Sequence, residues 1–82
     1  MNKTWILFHL RESLEELIET IAAIESKPAY NEIEFEIAIA HLYNHLNTAW
    51  NSRDVDPERT ARCSEEDFYA WRAFPSDLSM GR

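Results

Sequence analysis

Glycine is almost missing from this chain: the single one, Gly81, stands next to the last residue. Loops that cradle phosphate need glycines where backbone approaches the anion, so nucleotide-binding loops of that kind are excluded. Cysteine is equally scarce. Cys63 stands alone, which rules out an intrachain disulfide and any zinc site built from cysteines. No long apolar run exists either. The opening MNKTWILFHLRE has one lysine and a four-residue apolar stretch before His9, short of both a signal peptide and a membrane span. The expected compartment is therefore cytoplasmic. Positive charge is in deficit too: 8 basic residues face 15 acidic ones, for a net charge of −7. With no Lys/Arg cluster to offset repulsion from phosphate, nucleic acid and anionic membranes are not expected partners.

What the chain does have is apolar bulk. Of 82 residues 45% are hydrophobic, with three Trp, three Tyr and four Phe. One small domain is all this length allows, and its core is thin for that much apolar surface. Self-association is the natural outlet.

The spacing predicts an all-α fold. Leu7, Leu10, Leu14, Leu17, Ile21 and Ile24 recur at intervals of three and four, an a/d seam in a helix spanning about 4–25. Pro28 ends it. Asn31, with Glu34 three residues on, caps a second helix over about 31–51. Phe35, Ile39, Leu42, Leu46 and Ala49 run along it, and Ile33, Ile37 and Ala40 add a second stripe, as if its first half were buried on two sides. A link of about five residues makes the pair an antiparallel hairpin. Asp56-Pro57-Glu58 suits a short helical turn. Ser64 and Asp67 cap a further short helix over about 65–73, with Phe68, Trp71 and Phe74 on one stripe, and 76–82 reads as a frayed tail. Pairing of two hairpins into a homodimeric four-helix bundle would cover the leftover apolar surface.

Candidate chemistry centres on HLYNHLNTAW, residues 41–50. His41 and His45 share a helix face, and with Glu34 on the same stripe they form the best available metal set. His9, Glu12 and Glu16 form a comparable stripe on the first helix. Yet no Glu-x-x-His unit occurs, and both stripes lie roughly 100–140° from their own apolar seams, at 100° per residue. The expectation is that they face sideways or outward and that no metal or other cofactor is bound. Asn44, Asn47 and Asn51 continue the Ile33–Ala40 stripe and are expected to satisfy irregular backbone of the 52–63 connection. Cys63 lacks a local base, so catalysis by it is not expected. The function these features favour is a small acidic interaction or regulatory module without catalysis, docking partners through Tyr43, His45, Asn47, Trp50 and Arg53, whose aromatic, amide and guanidinium groups have the composition of an interface centre. A metal-binding helical protein using His41 and His45 is the alternative. An acidic inhibitor or immunity-type protein that occupies a basic site is the weaker one.

Overall fold

Four N-cap side chains set the element boundaries. In the computed structural model, which describes residues 1–81, Asn2 Oδ1 accepts from Trp5 N and opens α1, Lys3–Ser26. Asn31 Oδ1 does the same with Glu34 N for α2, Glu32–Asn51. Asp56 caps α3, Pro57–Arg62, and Ser64 caps α4, Glu65–Arg72. Each cap satisfies an amide that a helix start leaves unpaired. Among the described residues there is no strand. Cys63, at φ 36°, turns the chain left-handed between α3 and α4, a conformation uncommon in a residue other than glycine.

The two long helices pack along one another, and α4 packs on α2. The connection after α2 is tied to the start of α1. Asn2 N donates to Arg53 O at 2.7 Å, and Asn2 Nδ2 to Val55 O at 3.1 Å. Trp5 Nε1 donates to Ser52 Oγ at 2.7 Å, and Ser52, fully buried, donates in turn to Thr48 O. Hydrogen bonds thus close the hairpin at its open end.

Which faces the hairpin uses is the main departure from expectation. The residues of α1 withdrawn from solvent are Ile6 and, along one line, Trp5, His9, Glu12, Ser13, Glu16, Thr20 and Ala23, and on α2 Glu34, Ala38, Leu42, His45 and Ala49 belong to the matching line. The Leu7–Ile24 seam lies roughly 120° away from that line at 100° per residue. Its members stay 43–56% exposed. Ile33 and Ile37, expected to be buried, are 69% and 67% exposed. The inner line carries small residues, Ser13 and Ala23 on α1 and Ala38 and Ala49 on α2, between its polar ones. The leucines were left for another surface.

They do not stand alone. Leu10 of α1 and Leu46 of α2 line one shallow recess, so the α1 seam and the Phe35–Leu46 stripe share a side of the hairpin. α4 packs elsewhere on α2, and a single chain leaves this side open. No helix is long and apolar enough to cross a membrane among the described residues.

Candidate functional site

The three histidines of the chain come together between α1 and α2. His9 is 8% exposed, and its Nδ1 lies 2.9 Å from His45 Nδ1. Only one of these nitrogens carries the hydrogen; the other accepts it. His41, one turn before His45, has its ring 4.8 Å from that of His45. Its Nδ1 donates to Glu16 Oε2 at 3.2 Å, which fixes the tautomer, because a carboxylate only accepts. The expectation that these side chains face sideways or outward is corrected for His9 and His45, which line the helix–helix seam; His41 stands at its edge, with its side chain 55% exposed. The arithmetic of faces was sound, but it took the leucine seam as the inner one.

The His9 ring is held edge-on by Trp5, at 4.4 Å between centroids, and by Phe8, at 5.1 Å. Its Nε2 is buried with no hydrogen-bond partner. Burial first, and the neighbouring His45 second, push the His9 pKa down to about 4. His45 is also lowered, by burial and then by His41, while Glu12 and Glu16 pull the other way. Both imidazoles are thereby kept neutral at pH 7. A cavity of about 260 Å³ opens beside them, walled by Trp5, Phe68 and Trp71, with Cys63 and Arg72 from the α3–α4 side. Cys63 therefore stands on the wall that holds all three histidines, a placement no local sequence signal announced.

Glu34 does not belong to this group. Eleven residues separate it from His45, a rise of roughly 16 Å along one helix, so the two cannot hold one ion. Among the described residues, no three histidine, cysteine or carboxylate side chains are grouped as they stand to hold a metal ion.

The docking residues suggested by the sequence are largely engaged within the chain. Asn47 is 7% exposed, and its Nδ2 donates to Arg72 O at 2.9 Å. Asn51 Nδ2 donates to Trp71 O and Ala73 O at 2.8 and 2.7 Å. The asparagine stripe thus meets the C-terminal carbonyls of α4, which a helix end leaves without partners, and not the 52–63 connection. Arg53 stacks its guanidinium 3.9 Å over the Trp50 ring and donates to Trp50 O. Trp50 Nε1 donates to Asp77 Oδ1 at 2.9 Å, and this bond holds the Asp77 carboxyl below its usual range, with Arg53 nearby adding to the effect. Asp77, assigned above to a frayed tail, is therefore pinned; Arg82 of that tail lies outside the described residues. Tyr43 is the exposed member of the set, at 48%.

Asn47→Ala is accordingly expected to loosen the fold. It leaves the Arg72 carbonyl without its donor in a buried place, a loss of about 1–3 kcal/mol. Urea unfolding should show it, with Asn44→Ala, on the same stripe but outside this contact, staying within about 0.5 kcal/mol of the parent. Equal stability of both variants would refute the clamp.

No family model, curated protein or solved structure matches the chain. The class that fold and site define is a small all-helical hairpin with a histidine-lined seam.

Proposed function

We propose that the chain is a small interaction module without catalytic activity, working as a homodimer in which two hairpins complete a four-helix bundle. One observation carries the reading. Leu7, Leu10, Leu14, Leu17, Ile21 and Ile24 keep 43–56% of their surface in solvent, and Phe35 (43%) and Leu46 (39%) extend the same side. Eight such side chains leave on the order of 700 Å² of apolar surface, above what monomers usually expose and close to the ~800 Å² per partner of a standard interface.

Charge says how two copies would lie. Residues 15–36, the loop end of the hairpin, contain seven acidic residues and one basic residue, nearly the whole net charge of −7. Parallel stacking would set two such ends against each other. A two-fold arrangement with the hairpins antiparallel keeps them apart and sets each over the end that carries Lys3, Arg11 and Arg53. It also makes the contact self-complementary, as a two-fold dimer requires.

Light scattering should report roughly twice 9.7 kDa at micromolar concentration. The double substitution Leu14→Glu with Ile21→Glu, at positions 56% and 55% exposed in one chain, should give the single mass with its helical circular dichroism kept. A parent chain that stays monomeric at the highest concentration tested would end the proposal.

A further inference from the structure

The geometry points to a transition-metal site in the histidine seam, with His9 and His45 as its first two ligands and His41 as the third. Two imidazole nitrogens on one ion, at metal–nitrogen bonds of about 2.0–2.1 Å, are about 2.9 Å apart at a right angle and about 3.3 Å apart at the tetrahedral angle. His9 Nδ1 and His45 Nδ1 stand at 2.9 Å, one from each helix, and an ion bound to both would sit to one side of the line that joins them, roughly 45° from it at each nitrogen. The pair meets without an ion because one nitrogen carries a hydrogen; moving that hydrogen to the outer nitrogen frees both lone pairs for a cation. Imidazole donors suit zinc, nickel, copper or cobalt and discriminate against magnesium and calcium.

The outer parts of such a site are present as well. Trp5 and Phe8 fix the His9 ring from two sides. Glu16 holds His41 through Nδ1, the carboxylate–histidine arrangement that orients ligands and strengthens their basicity, and this leaves His41 Nε2 as the donor to the ion. His41 is not yet in place, which is why no group of three stands ready. Its side chain is 55% exposed and touches Glu16 and His45, so a change in its own torsions, with Glu16 following, would bring Nε2 to the pair. The ion would bind to a preformed pair and be closed in by a mobile third ligand. The cavity beside the seam gives room for water or a small anion in the remaining position.

The test is titration of the full chain with Co²⁺ and Zn²⁺, each alone, at pH 7.5, by calorimetry and by cobalt absorption. One ion per chain should bind, with His45→Ala weakening it at least ~100-fold and Glu16→Gln about 10–100-fold, as expected for an outer partner. Glu34→Gln and Cys63→Ser should leave it unchanged. In the parent chain, so that the result does not depend on a variant folding, nitrogen-15 spectra of the imidazoles should show both Nδ1 of His9 and Nδ1 of His45 shifting on Zn²⁺ addition. The proposal is overturned if millimolar Co²⁺ leaves no bound ion, if His45→Ala binds as well as the parent, or if the two Nδ1 signals stay where they were in excess Zn²⁺.

Discussion

Trp71→Ala is expected to lower the melting temperature by at least about 12 °C. Among the described residues Trp71, 6% exposed, is the one large apolar side chain of the buried core, which it shares with Ala49. Its ring meets Trp5 edge to face at 6.3 Å and lies 5.6 Å from the Arg59 guanidinium, so it joins α1, α3 and α4 at one point. Removing a large buried aromatic costs about 3–5 kcal/mol, against a total stability of about 5–15 kcal/mol for a natural domain. At about 4–8 °C per kcal/mol for a domain of this size, the shift follows. Because α4 has eight residues, it cannot persist as a helix once it leaves α2, and its amides should lose protection from exchange before those of α1. Tyr69→Ala, 61% exposed, is the comparison and should stay within about 0.5 kcal/mol. Both variants must be measured at equal chain concentration, since association would add to stability. A shift of less than about 3 °C for Trp71→Ala would show that α4 is held by its asparagine clamp alone.

The same dependence on few buried residues explains how much could be read in advance. Helices and their starts were legible, because a cap and a 3.6-residue period are local: Asn31, Asp56 and Ser64 all cap where their side chains suggested. Which face of each helix meets its neighbour was not local. The a/d seam of α1 announces a packing surface but not whose surface it packs, and within one chain the answer was His9, Ser13 and Glu16 instead of Leu10, Leu14 and Leu17. A hydrophobic period identifies the face that must be covered in the end, not the face covered first. Once the inner face was misassigned, His41 and His45 were placed outside, and their meeting with His9 could not be foreseen.

The asparagines show a different limit. Their spacing revealed that irregular backbone was needed nearby, because amides in a helix interior serve poorly otherwise. It gave no sign of which backbone. Two segments follow α2, and the nearer one was taken by Asn2 and Trp5 at the other end of the chain, contacts 47 to 53 residues apart in sequence. Asn47 and Asn51 were left to receive the end of α4. Trp50 and Arg53, which look like an exposed recognition pair, hold Asp77 for the same reason: the aromatic and the guanidinium are the nearest partners for a carboxylate arriving from the C-terminal side.

Acid is expected to unfold the metal-free protein earlier than carboxylate protonation alone would. The folded His9 has its pKa depressed to about 4 from an ordinary 6.5, so between those values the unfolded chain holds a proton that the folded one does not. Stability must then fall as pH falls: the contribution is intact above about pH 6.5, declines through the window, and is fully lost below about pH 4. With 1.36 kcal/mol per pKa unit, His9 accounts for up to about 3 kcal/mol, and His45, also lowered, acts in the same direction. The groups around the pair do not cancel this. The Arg72 guanidinium stands at the cavity wall, and Glu12 and Glu16, which pull His45 the other way, are outweighed there by burial and by His41. Protonating His9 would also put a second N–H where nothing accepts it, since its Nε2 is buried without a partner and its Nδ1 faces another imidazole. Urea unfolding in the presence of a chelator at pH 7.5, 6.5, 5.5 and 4.5 should show the loss, at constant ionic strength and chain concentration. His45→Asn, which removes one of the two imidazoles, should flatten the pH dependence. If stability is level from pH 7.5 to 5 in the parent, His9 takes up its proton in the folded state at an ordinary pH and the seam opens to let it.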